Sequence, residues 1–298
     1  MVVPLPREFF REPRPAAGSE RLGLVLGDLA IELDGLDRAL AELLAQRFGP
    51  YAVRAAETPG ALRVAVGLEP RDYFIDPPRE VENVRVLVDC DGPLVRYLSY
   101  RVAGWLDPAE GRGQLLLARG AWEPPTRSFE NFLRVAVAWR AVVRGGALVH
   151  AASAVHGGKG YLFYGESGAG KSTLSAANRR ARVVSDDLSL VLPGAAGLEL
   201  VGSPFRGTYE GGDPVLGRFP LAAGFRLIQA PVEAVRAVPR LRALAELVGN
   251  LPFVAEAFGV RPDLFATIER AFAPVPLAHL HFTRGGDGYW DAIAAAGY

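Results

Sequence analysis

One string constrains this chain more than any other: Gly165-Glu166-Ser167-Gly168-Ala169-Gly170-Lys171-Ser172, followed by Thr173. It fits the pattern G-x-x-x-x-G-K-[ST] at every fixed position. Glycines in such a loop let successive backbone N–H groups turn inward around a phosphate without side-chain collision. The spacing brings Lys171 to the β- and γ-phosphates as a point charge and offers the Ser172 hydroxyl to Mg2+. A helix opening at this point aims its positive end at the anion. The pattern needs a strand before it and a helix after it, and both are present. Tyr161-Leu-Phe-Tyr164 reads as an apolar strand, and Ser172 to Arg180 reads as a short helix. An all-helical or all-strand chain is thereby excluded, and an α/β arrangement is required.

The flanking elements extend that reading. Residues 147–156 form a buried strand, Gly157-Gly-Lys-Gly160 a hairpin turn, and 161–164 the returning strand. After the loop and helix comes another strand, Arg182-Val-Val-Ser185, so the order is βαβ-like. Upstream, residues 1–20 are rich in Pro, Arg and Glu and read as an extended arm. Leu22–Leu33 reads as a strand, Leu36–Phe48 as a helix stopped by Gly49-Pro50, and Leu62–Val66 and Val84–Asp89 as strands. Leu94–Ala103 and Gln114–Ala118 read as further strands. The paired prolines at Pro124-Pro125 mark a boundary. The expected organisation is a small α+β domain over residues 1–125 and a nucleotide-binding domain over 126–298, beginning with a helix from Ser128 to Val143.

Composition narrows the function classes. The chain has 298 residues, half of them apolar, which is ample for burial and excludes global disorder. A formal net charge of +0 argues against a generic nucleic-acid binder, which needs a positive surplus. Nearly all the basic residues are arginine; Lys159 and Lys171 are the exceptions, and Lys171 falls in the glycine loop. The single cysteine, Cys90, cannot form an internal disulfide and reads as a structural thiol on a strand. No basic-then-apolar leader opens the chain, and no run approaches the roughly eighteen apolar residues that cross a bilayer. No membrane span and a cytoplasmic location are therefore expected.

A phosphate-binding loop of this type also needs a metal-holding acid at a nearby strand end. Val183-Val-Ser-Asp186-Asp187 provides two. Among the remaining histidines, His156 at the hairpin edge reads as structural. His279 and His281 share one face of a strand but lack a third ligand type nearby in sequence, so a metal role is set aside.

His150-Ala-Ala-Ser153, the glycine loop through Lys171-Ser-Thr173, and Val183-Val-Ser-Asp186-Asp187 together resemble the kinase domain of HPr kinase/phosphorylase and its relatives. These are serine kinases with a phosphoenolpyruvate-carboxykinase-like P-loop fold. The likeness covers about residues 145–210 with specific motifs. It implies an α/β P-loop kinase domain with a mixed sheet behind the small α+β domain, and it implies ATP and Mg2+. Residues 165–173 would hold the nucleotide, with Lys171 on the phosphates and Ser172 on Mg2+. Asp186 would take the proton from the acceptor hydroxyl, Asp187 would hold Mg2+, and His150 would stand beside the catalytic acid. The likeness does not extend to the Pro-Gly-Arg-Asn stretch of the HPr enzymes, so HPr itself is not implied as acceptor. Gly202-Ser-Pro-Phe-Arg-Gly207 instead resembles a branch found near peptide-modification and other biosynthetic genes. The relatives assemble into oligomers, so a homo-oligomer is within expectation.

Phosphoryl transfer asks for positioning and charge neutralisation, and an arginine can stabilise the transferred group. Arg206, in its Pro/Gly-bounded loop, is the candidate, against the plain alternative of one surface arginine among many. The expected activity is ATP-dependent phosphorylation of a serine-type hydroxyl on a protein, peptide or small molecule. The alternative is a non-catalytic nucleotide-binding regulator or scaffold of a biosynthetic or peptide-modification pathway. ABC-type engines need Leu-Ser-Gly-Gly-Gln and GTPases need Asn-Lys-x-Asp; neither string occurs.

Overall fold

The computed structural model describes residues 3–12, 14–54, 58–78, 85–209 and 211–298. Its class is α/β, with two mixed sheets and seven helices among the described residues. The chain divides into two compact units, Met1–Arg140 and Ala141–Tyr298.

In the first unit the elements are α1 (Arg7–Arg11), β1 (Glu20–Leu26), β2 (Leu29–Leu36), α2 (Arg38–Phe48), β3 (Ala52–Arg54), β4 (Leu62–Leu68), β5 (Leu87–Asp91), β6 (Leu94–Leu98), β7 (Val102–Asp107) and β8 (Arg112–Leu117). The strands form one sheet in the order β3-β1-β2-β4-β8-β7-β6-β5. Strand β4 runs parallel to both β2 and β8, and the other pairs are antiparallel. The single strand expected over 22–33 is a hairpin, because Gly27 adopts a left-handed φ of 63° and reverses the chain. Similarly, the strand expected over 94–103 breaks into β6 and β7. Helix α2 starts where Asp37 accepts from the Leu40 N–H and stops at Gly49. The N-terminal segment expected as an arm instead carries α1, with Val3 and Phe10 buried against Leu87, Leu98 and Ala103. Cys90 is half-buried on β5. Val84, part of the strand expected over 84–89, lies outside the described residues.

The boundary expected at residue 125 falls at the start of a helix. Helix α3 runs Pro125–Val143, and the units divide inside it. Pro125 begins the helix where a missing N–H costs nothing. The helix then belongs mainly to the first unit. Phe132 packs edge-on against Tyr97 with ring centroids 5.5 Å apart, and Arg140 donates to the carbonyls of Gly60 and Pro108.

The second unit contains β9 (Ala147–His156), β10 (Lys159–Tyr164), α4 (Lys171–Ala177), β11 (Arg182–Ser185), β12 (Leu188–Gly194), β13 (Gly197–Val201), β14 (Arg218–Gln229), β15 (Ala234–Ala237), α5 (Arg240–Val248), α6 (Pro262–Phe272), β16 (Leu277–Phe282) and α7 (Tyr289–Ala295). The β9–β10 hairpin is as expected, with Gly157 and Gly158 both left-handed. Strand β10 then runs parallel to β14, and β14 parallel to β16. Strands β10 and β11 are both antiparallel to β9, which separates them. The expected βαβ step therefore crosses over one intervening strand. Two long strands each serve two sets of partners. Strand β9 pairs with β12 through its first half and with β10 and β11 through its second. Strand β14 pairs with β13 at its start and with β10 and β16 further on.

Alternation along the strands builds the core. Phe163, Phe225 and Leu280 point to one face, where Leu174 of α4 and Tyr289, Trp290 and Ile293 of α7 cover them. His156 stacks on Trp290 with centroids 4.5 Å apart, a packing role as expected. Phe163 is fully buried beneath the strand end that launches the glycine loop. Replacing it, Phe163→Ala, is expected to cost about 3–5 kcal/mol, read as a lowered denaturation midpoint of the full chain.

Candidate functional site

The glycine loop leaves the end of β10 and enters α4, at the carboxyl ends of the parallel strands β10, β14 and β16. In sheets of this kind ligands bind in the crevice outside those ends. A cavity of about 560 Å³ opens there. Ser167, Gly168, Gly170, Lys171, Ser172 and Thr173 line one side of it. Gly168 and Gly170 have φ of +81° and +107°. A Cβ on Gly170 would stand 2.6 Å from Phe282 Cζ, so backbone conformation and space both require glycine. Lys171 is only 7% exposed, and its ammonium donates to the carbonyls of Gly165 at 2.7 Å and Glu166 at 3.2 Å. Burial pushes its pKa down, and Asp187 opposes that shift. The Gly165 and Glu166 carbonyls thus shape the loop. Gly165, Glu166 and Ala169, the other expected members of the loop, lie behind this lining. The Glu166 carboxylate is 88% exposed and lies 3.5 Å from the Arg226 guanidinium.

His150, Asp186 and Asp187 line the same cavity. His150 Nε2 stands 3.5 Å from Asp187 Oδ1. Burial lowers the histidine's pKa and Lys171 lowers it further, while Asp187 raises it, with a net downward shift. The imidazole is therefore neutral at pH 7.

Asp186 is 2% exposed, and its carboxylate already accepts from the backbone N–H of Gly207 at 2.7 Å, Thr208 at 3.0 Å and Tyr209 at 3.0 Å. The Thr208 hydroxyl adds a fourth bond at 3.3 Å. A carboxylate offers about four acceptor positions. The carboxylate expected as base for an incoming acceptor thus also holds the 207–209 turn. Asp187, whose side chain is 29% exposed, lines the cavity beside it.

Arg206 is bonded within its own loop. Its guanidinium donates to the carbonyls of Val184, Gly211, Gly212 and Asp213 and lies over the Tyr209 ring. It does not line the cavity. Those carbonyls bind it into the loop it stabilises. The arginine at the cavity is Arg284, which sequence reasoning missed. It donates twice to Gln229 Oε1, at 3.1 and 2.7 Å, and Gln229 Nε2 in turn donates to Gly168 O at 2.9 Å. The available signal was Thr283-Arg284-Gly-Gly immediately after an apolar strand, the position where α/β folds place ligand contacts.

His279 is committed elsewhere. Its Nε2 meets Glu246 Oε2 at 2.7 Å, and Arg226 and Arg242 share the other carboxylate oxygen. Burial pushes the Glu246 pKa up, but these hydrogen bonds outweigh it and the carboxyl stays ionised. At the main cavity, the Ser172 hydroxyl and the Asp187 carboxylate are hard oxygen donors. That donor set fits Mg2+, which takes one or two protein oxygens and completes its shell from phosphate and water.

No family model and no curated protein matches the sequence.

The role of Asp186 is directly checkable. Asp186→Asn keeps the shape but replaces one acceptor oxygen by a donor. Charge-assisted bonds of this kind contribute about 1.5–3 kcal/mol each. The variant is expected to lose about 2–3 kcal/mol of stability and to show faster amide hydrogen exchange over residues 203–209. Unchanged stability and exchange would contradict an anchoring role.

Proposed function

We propose that the chain is an ATP- and Mg2+-dependent phosphotransferase, related in chemistry to HPr kinase, that transfers a phosphoryl group to a serine-type hydroxyl of a protein, peptide or small molecule. One observation carries the reading: the glycine loop with Lys171 and the pair His150–Asp187 face a common cavity at the ends of three parallel strands. The P-loop kinase fold implied by the resemblance belongs to this proposal.

MgATP, when bound, supplies the transferable phosphoryl group and the charge neutralisation it needs. The residues of the chain do the rest. Backbone N–H groups of 167–173 cradle the phosphates, and Lys171 neutralises the charge that grows on them. Ser172 and Asp187 would hold Mg2+. Arg284, tethered through Gln229 to the loop, stabilises the phosphoryl oxygens in place of Arg206. His150 is kept neutral beside Asp187 and accepts the acceptor's proton. Asp186 keeps the turn that bounds the acceptor side.

Two measurements test this. Calorimetric titration with MgATP is expected to show Lys171→Ala weakening binding by about a hundredfold or more, the scale of losing a charge-assisted phosphate contact. Asp187→Asn should leave metal-free nucleotide binding intact and lower Mg2+-dependent ADP formation by about a hundredfold or more. Wild-type protein that binds no nucleotide sinks the proposal; binding without any turnover, in the presence of a hydroxyl acceptor, favours the regulator or scaffold.

The pH dependence has a defined sign. The lowered pKa of His150 means that activity persists below the ordinary histidine value of 6.5 and falls only on further acidification. Removing the Asp187 charge removes an upward influence on that pKa. An NMR titration of His150 in Asp187→Asn should therefore show a midpoint lower than in the wild type. A midpoint that rises contradicts the pairing.

A further inference from the structure

Thr208 stands exposed on the wall of the cavity, on the turn that Asp186 anchors. Its hydroxyl donates to Asp186 Oδ2 at 3.3 Å, and the same oxygen accepts from the backbone N–H of Thr208 and Tyr209. Backbone and side chain of this residue are thus both held against the acid. Gly207 sets the approach: a Cβ there would stand 3.1 Å from Asp186 Oδ2 and 3.1 Å from Asp187 Cβ. The turn therefore lies directly against the acid pair. A hydroxyl resting on a buried carboxylate, in the same cavity as a phosphate cradle, has the two things phosphoryl transfer to an alcohol requires. The nucleophile is positioned, and a proton acceptor touches it.

We propose that Thr208 is a phosphoryl acceptor of the chain's own site, so that the protein modifies itself in cis. The inference rests on the nucleotide-dependent phosphotransferase reading above and adds a site of modification to it. In the step, Thr208 Oγ1 forms a bond to the γ-phosphorus of ATP. The bond from that phosphorus to the β–γ bridging oxygen breaks, and ADP leaves with its electron pair. The hydroxyl proton passes to Asp186 Oδ2. No co-reactant beyond MgATP is needed. Asp186 here serves the one side-chain hydroxyl bonded to it among the described residues. The product carries a charge of about −1.5 to −2 at pH 7. In this cavity it competes with nucleotide for Lys171 and Arg284, so modification lowers nucleotide affinity.

The test uses the full chain, treated with phosphatase, then given Mg2+ and ATP and followed by intact mass, peptide mapping and ADP release. The expected result is one phosphate at Thr208, retained in Thr208→Ser and lost in Thr208→Val and Lys171→Ala. Thr208→Val keeps the shape and the backbone donors of the turn. The rate per molecule should not change with protein concentration, because acceptor and donor site share one chain. ADP release with Thr208 unmodified, phosphate on another residue, or a rate that rises with protein concentration overturns the inference and leaves the phosphotransferase reading standing. Failure to bind nucleotide at all overturns both.

Discussion

The carboxylate of Asp186 ties the end of β11 to the turn at 207–209, and the arrangement of the cavity follows from that tie. Three backbone N–H groups converge on a side chain that is almost fully buried. A buried carboxylate is tolerated only when its lone pairs are filled in this way. Ser185 works in parallel: its hydroxyl donates to Phe205 O and accepts from the N–H of Asp187 and Leu188. The strand end is thus bound to the loop by two consecutive side chains. Asp187, the next residue, is the one left to open toward Lys171. Asp186 anchors the turn while its neighbour stands beside His150, and the division comes from where the backbone donors arrive.

The sheet beneath supplies rigidity. Tyr164, Arg226 and His279 are register partners across β10, β14 and β16, so they lie in a row on the face opposite the Phe163 core. Glu246 of α5 sits on that row and is shared by Arg226, Arg242 and His279. Removing one partner of this partly buried cluster leaves Glu246 less compensated, so its members hold one another in place. Arg226 also reaches Glu166 of the glycine loop. A second tether runs from Arg284 through Gln229 to Gly168 O. The loop is therefore restrained from both sides, which keeps its backbone donors in a fixed geometry.

An arginine-rich composition makes single arginines hard to read. Arg206 has the loop context of a phosphate ligand, yet its guanidinium spends its donors on four backbone carbonyls. Arg284 lies far along the chain in a plain Arg-Gly-Gly turn, yet it faces the cavity. Guanidinium groups suit both jobs because one planar fork can satisfy several acceptors. Which job each performs depends on the acceptors that the fold brings within reach.

The sequence alone determined that a glycine loop lies between a strand and a helix, that Lys171 and Ser172 open that helix's side of it, and that an acid pair follows the next strand. Those features are local: glycine spacing, apolar alternation and turn chemistry act over a few residues, and the β9–β10 hairpin and α4 follow from them. The crossover of β10 and β11 around β9, the division of the units inside α3, and the sharing of β9 and β14 between partners were decided by the tertiary structure, because strand pairing joins residues far apart in sequence. The roles of Asp186, Arg206, Gln229 and Arg284 were decided there too. A side chain's chemistry is set by the donors and acceptors around it, and at these positions they come from segments distant along the chain.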